Sequence, residues 1–275
     1  MRFDQLLGRI NMTHRPVTDP FQRPQNTINW AERSIHEGIQ HFLAFGQDPG
    51  SFVKKIEFDS DTGDYVYKIV QQRDLPDVIE QRWTEALNNL RNSFDQSIFA
   101  ACTAINDPRK KLNYPWADSP VDLGHRLRGR ERKPKVPPLL WEEIKRQQPY
   151  PTGEGYTGGD DLIRAVATIA NAKHTIGFEI GCVVTSIFGG VMSFGRDGFF
   201  GMRPPVWNPD KKEIELLRVR DATMHQEPGA HVTIFFRSGP LPRRTAAPEA
   251  LLLFHQKAQS VLDGLKAECA RINGI

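Results

Sequence analysis

The sequence predicts an α+β fold, and three observations carry that prediction. Apolar residues recur at helical spacing in three long stretches, near 29–45, 76–105 and 248–272. Two strand-like runs flank the turn-rich segment Asp59-Ser60-Asp61-Thr62-Gly63-Asp64. Beyond residue 175 the apolar period falls from 3.6 to about 2 over four short segments. Helices first, then clustered strands, then a closing helix is the order of an α+β chain rather than of alternating βαβ units.

Residues 1–26 carry Pro16, Pro20 and Pro24 with weak periodicity and are expected to form an irregular arm. A helix over 29–45 follows from Ile28, Ala31, Ile35, Ile39, Phe42 and Leu43, with Thr27 or Asn29 as its cap and Gly46 at its end. A hairpin is expected over 51–70. Pro76 then opens the longest helix, to about residue 105, whose stripe is Ile79, Trp83, Leu87, Leu90, Phe94, Ile98 and Ile105. Residues 107–138 hold six prolines among many charges and read as a long surface loop or interdomain excursion. Helices are expected over 138–147 and 160–173, with a glycine-rich loop between them. Strands follow near 176–188, 197–203, 213–220 and 230–237. The final helix carries Leu251, Phe254, Ala258, Val261, Leu262, Leu265 and Cys269. This divides the chain into the arm at 1–26, a mainly helical part at 27–175 and a strand-rich part at 176–275, within what could be one domain.

The 275 residues suffice for a sizeable core, and 39% apolar with 25% charged residues is ordinary for a soluble globular protein. A net charge of +3 does not by itself imply nucleic acid. Cys102, Cys182 and Cys269 are odd in number and far apart, which fits free thiols in a reducing compartment rather than disulfides or zinc. There is no secretory leader and no apolar run long enough for a membrane, so a cytoplasmic protein without membrane partners is expected.

Polar chemistry and helical spacing converge at Asn88-Asn89-Leu90-Arg91-Asn92-Ser93-Phe94-Asp95-Gln96. On a helix Arg91 stacks with Asp95 and Asn92 with Gln96, each at i,i+4. The bland account is a solvated face with one ion pair contributing a few tenths of a kcal/mol. The string also resembles the Arg-[Asn/Asp/His]-x-x-x-His signature of the HEPN superfamily. That resemblance implies a helical domain, often a metal-independent RNase of toxin–antitoxin or phage-defence systems, whose arginine and histidine meet those of a second protomer. A neutral imidazole would take the ribose 2′-OH proton while a guanidinium stabilises the phosphorane. Here Gln96 stands in the histidine slot, and an amide is no base at pH 7. The resemblance therefore implies an inactive copy, or one whose base comes from elsewhere. His174, facing Arg91 across a helix pair, is the candidate replacement; its alternative role is a cation at a helix C-terminus. More loosely, the chain resembles a group of uncharacterised bacterial proteins sharing an Asn-Leu-Arg-x-x-x-Asp helix (Asn89, Leu90, Arg91, Asp95), a Gln148-Pro149-Tyr150 turn and a Lys173-His174 helix end.

The tract 125–135 is the candidate nucleic-acid surface. Arg126, Arg128, Arg130, Arg132, Lys133 and Lys135 face one acid, Glu131. Such a run would bind RNA or DNA phosphates without reading sequence, or would simply be a solvated loop. Gly153-Glu154-Gly155-Tyr156-Thr157-Gly158 spells G-x-G-x-x-G, but the preceding segment is a helix, so a flexible loop capped by Asp160 or Asp161 is expected instead of a dinucleotide site. No metal-ligand spacing and no cofactor motif occurs. The reading is a binding or assembly module without catalytic activity, with a homodimer as the expected assembly. The alternatives are a HEPN-like nuclease or nucleic-acid-binding factor using Arg91, Asn92, Asp95, Gln96 and His174, and a small-molecule-binding protein.

Overall fold

The computed structural model describes residues 19–109, 112–129, 134–171, 178–186, 192–201, 207–224, 229–236 and 245–275. His174, Arg130, Arg132 and Lys133 lie outside these residues. Three long helices carry the main core. α1 (Gln22–Gln47) and α2 (Asp77–Ala104) pack side by side, and α6 (Ala247–Asn273) lies against both. Their facing stripes bury Ile28, Ile35, Trp83, Leu90, Phe94, Ile98, Phe254, Leu262 and Leu265. At 1.5 Å per residue, α2 is roughly 42 Å long and forms the scaffold. Polar bonds register the three: Thr27 on α1 meets Gln96 on α2, Gln25 meets Gln259 on α6, and Asn273 donates to the Ala104 carbonyl.

α1 begins earlier than expected and takes in residues 22–26 of the supposed arm. The Asp19 side chain accepts from the Phe21 N–H at 2.8 Å, and Pro20 and Pro24 fall in the entry turn and first turn, where a missing N–H costs little. Thr27 is no cap; its hydroxyl turns across to α2 and donates to Gln96 Oε1 at 2.8 Å. Between α1 and α2 runs the expected hairpin, β1 (Phe52–Asp59) and β2 (Asp64–Gln71), turning at Gly63 with φ +72°, where only glycine is unstrained.

The described residues of the stretch 107–138 are not a surface excursion. Leu112, Tyr114, Trp116, Ala117, Leu123, Leu127 and Val136 are all buried in the helical core, and a helix, α3 (Pro120–Arg128), interrupts the stretch. Ser119 caps it by accepting from Asp122 N at 3.1 Å, Pro120 takes the first position, and Asp122 accepts from Asp118 N. This is a Ser-x-x-Asp capping arrangement in a segment whose prolines suggested a break. α4 (Trp141–Gln147) follows a single 3₁₀ turn at Pro138–Leu140, and α5 (Asp161–Asn171) starts on Asp160, which accepts from Ile163 N.

The remaining strands are β3 (Phe178–Ser186), β4 (Met192–Gly201), β5 (Trp207–Asn208), β6 (Glu213–Met224) and β7 (Gly229–Phe236). All pairings are antiparallel. β1, β2, β6 and β4 lie in that order, with β5 also on β6, and β3 pairs β7 in a separate ribbon. The hairpin at 51–70 thus joins strands from beyond residue 175, so the large sheet draws on both expected parts. The ribbon lies between layers: Phe178 meets the Trp83 ring at 5.3 Å, and Val232 packs on both the helical core and the sheet's cluster of Ile69, Ile214, Leu216, Leu217 and Val219. Mixed α+β architecture is therefore what this chain adopts.

Candidate functional site

The polar strip of α2 divides over its length. Arg91 leans toward α5, donating from Nε to Asn171 Oδ1 at 3.0 Å and from Nη1 to Asp95 Oδ2 at 3.2 Å. The other Asp95 oxygen accepts from the Tyr114 backbone N–H at 2.8 Å, which ties α2 to the chain that returns before α3. Burial pushes the Asp95 carboxyl above its ordinary range, against the pull of that N–H and of Arg91. Behind it, Phe94, Tyr114 and Trp116 form a three-ring cluster with centroids 4.8–5.1 Å apart. The fully buried Tyr114 hydroxyl donates to Gln147 on α4. Gln96 turns the other way: one end of its amide meets the Thr27 hydroxyl on α1 at 2.8 Å. Asn92 is exposed. Arg91 and position 96 therefore face different neighbours, α5 and α1.

On the α1 side of α2, between those two helices, lies a cleft of about 540 Å³. Its walls are Pro20, Pro24, Phe99, Ala100 and Leu112, and its polar groups are Arg23, Asp95, Gln96 and Thr103. Successive turns of α2 supply Asp95, Gln96, Phe99 and Thr103, and the first turn of α1 supplies the opposite rim. An apolar recess of roughly 300–1,000 Å³ with a few polar groups is the usual form of a small-molecule site. Both Asp95 oxygens are already held, but Arg23 is exposed, and among the described residues no carboxylate pairs with it. Arg23, Phe99 and Leu112 escaped the sequence reading. Arg23 sat in the supposed arm, and the signal that could have found it was Asp19-Pro20 as a helix start.

A larger groove of about 670 Å³ runs between α4, the start of α5 and α6, and most of its charges are paired in place, Asp263 accepting, among the described residues, only from the Gln259 amide. Glu143 pairs with Arg146, Lys257 with Asp160 at 2.6 Å, and Glu268 with Arg271 at 2.6 Å. Glu143 is buried because Gly264 leaves room; a Cβ there would lie 2.2 Å from its Oε1.

The basic tract is less free than its composition suggests. Arg126 bonds Asp122 at 2.7 Å and Arg128 donates to the Gly124 carbonyl. Lys135 lies where it favours the ionised form of Asp95. The Gly153–Gly158 loop follows a helix, as expected, and its Tyr156 hydroxyl donates to the Pro151 carbonyl. Burial pushes the Cys102 and Cys269 thiols up to about 12 and about 11, so neither is a ready nucleophile. Among the described residues no group of three or more His, Cys, Asp or Glu is placed to hold a metal ion, and no helix is long and apolar enough to cross a membrane.

Compared with protein-family models, curated proteins and solved structures, the chain matches none.

Proposed function

We propose that this protein is a binding module without catalytic activity, which takes a small amphipathic anion in the cleft between α1 and α2. The observation that carries the reading is Arg23, a cation with no carboxylate partner among the described residues, at the rim of a mostly apolar recess. A carboxylate- or phosphate-like head would meet Arg23 and the positive end of α1. An acyl or aryl body would lie on Phe99, Pro24 and Leu112, where each buried methylene contributes about 0.8 kcal/mol. The free end of the Gln96 amide would orient the head. Absence of catalysis is supported by Arg91, which is spent on Asp95 and Asn171, and by the amide at position 96. The nuclease alternative finds weaker support, since Arg126 in the basic tract is paired with a carboxylate.

Thermal unfolding with octanoate, octanol and octylamine tests the proposal. Octanoate should raise the midpoint in a concentration-dependent way, octanol less, and octylamine not at all. Arg23→Gln should abolish the difference between octanoate and octanol. No octanoate shift, or an equal shift in the Arg23 variant, would refute the reading.

A further inference from the structure

We propose that β1 is a self-association edge, through which two copies of this chain join their large sheets across a two-fold axis at Ile56. The inference does not depend on the α1–α2 cleft. β1 ends the order β1-β2-β6-β4, so one side of its backbone has no strand partner among the described residues. Such a row of open N–H and C=O groups is a template for a further strand. The strand is eight residues long, and its six central residues are exposed.

Its two faces differ. Cross-strand registers Ile56↔Tyr67 and Phe58↔Tyr65, then Tyr67↔Leu217 and Tyr65↔Val219, put Ile56 and Phe58 on the face that buries Leu217 and Val219 further in. On β1 and the adjoining end of β2 that face runs past the core into solvent: Ile56 is 55% exposed, Phe58 61% and Tyr65 on β2 48%, with Phe58 and Tyr65 rings 5.3 Å apart. The opposite face is charged, with Lys55, Glu57 and the Lys68 pairs to Glu57 at 2.7 Å and Glu213 at 3.2 Å. An apolar stripe beside an open edge is covered most economically by the same stripe on a second copy.

Charge selects both the partner and the register. A two-fold axis perpendicular to the sheet makes antiparallel neighbours and keeps each face on its own side, so residues of like parity must oppose one another. Centring on Lys54, Lys55 or Glu57 sets a charge directly against its own copy, which is destabilising. Centring on Ile56 sets Ile56 against Ile56, each Lys55 against the second copy's Glu57, and each Lys54 stem against the second copy's Phe58. That register places two opposite-charge pairs on the polar face and an Ile–Phe–Tyr cluster on the other. Side chains directly opposite in this way come to about 4.5–5.5 Å between Cβ atoms.

Sedimentation analysis of the full chain tests this, with circular dichroism to establish that each variant is folded. The wild type should form a dimer whose population rises with concentration. Lys55→Glu and Glu57→Lys should each weaken it about tenfold or more, because opposed pairs become like-charged. An equimolar mixture of the two variants should restore a one-to-one heterodimer, which repair within either chain cannot produce. Ile56→Cys should cross-link to itself under mild oxidation, and Val53→Cys, opposite Asp59 in this register, should not. A monomer at every concentration, or a dimer indifferent to both charge variants and without the Ile56→Cys cross-link, would overturn the proposal.

Discussion

Replacing Asp95 separates its two duties on α2. One oxygen accepts the Tyr114 backbone N–H and the other faces Arg91. Tyr114 is only 2% exposed, so Asp95→Ala leaves a buried donor without an acceptor, at a cost of about 1–3 kcal/mol. The ion pair adds less than about 1 kcal/mol, because Arg91 and Asp95 keep 26% and 22% of their side-chain exposure. Relief of the carboxylate's burial offsets part of the loss. Asp95→Ala should therefore lose about 2 kcal/mol, whereas Asp95→Asn keeps an oxygen for Tyr114 and should lose under about 1 kcal/mol. In urea, a loss of about 2 kcal/mol moves the midpoint by roughly 0.7 M if m is about 3 kcal/mol/M. The pH dependence has a definite sign. Asp95 has a raised folded-state pKa, so the stability it contributes is complete below the unfolded value of about 3.9 and is lost as pH rises through the folded value. Asp95→Asn has no such loss and should gain on the wild type over that rise. Equal losses for the two variants, or a deficit of Asp95→Asn against the wild type that grows as pH rises through this range, would refute this account of the strip.

Other outcomes follow from neighbouring contacts. Gly38→Ala sets a Cβ 2.3 Å from Trp83 Nε1. That buried ring is hemmed in by Phe42 and Phe178, so overpacking of ~1–3 kcal/mol should exceed the ~1 kcal/mol gain in helix propensity, read by urea unfolding. Burial holds the His255 imidazole below its ordinary value, with His36 adding to the effect and Glu32, 4.0 Å away, opposing it. Its stabilising contribution is present above about pH 6.5 and lost as pH falls through the folded value, so His255→Gln should flatten the fall in urea midpoint between about pH 7.5 and 5.5. Gln96→His completes the Arg-Asn-x-x-x-His string but should confer no cleavage of single-stranded RNA, since position 96 faces Thr27 on α1 and Arg91 faces Asn171 on α5.

Much of the fold was legible because burial leaves a period in the sequence. The stripe from Ile79 to Ile98 sits on α2 at Asp77–Ala104, within two residues of the expected ends, and the turn residues 59–64 do join β1 to β2. Pairing between distant strands leaves no such trace. Nothing local to Tyr65–Val70 says that β6 will lie beside it, and so the sheet's crossing of the two expected parts was not readable. Proline misled twice: Pro24 lies in the first turn of α1, where a missing N–H costs little, and Pro120 opens α3 behind the Ser119 cap. The site was legible only in part. Spacing correctly placed Arg91 over Asp95, but which way Gln96 turns depends on Thr27, 69 residues earlier. The cleft itself arises from two helices and a returning chain, and no single segment shows it.

The most direct measurement is the ¹H–¹⁵N spectrum of the protein titrated with octanoate. The account predicts that the Gln96 side-chain amide and the backbone amides of Arg23 and Phe99 move together in a saturable way, and that Arg23→Gln suppresses the movement. Shifts centred on Gln147 and Gly264 in the α4–α6 groove, or none at any concentration, would contradict it.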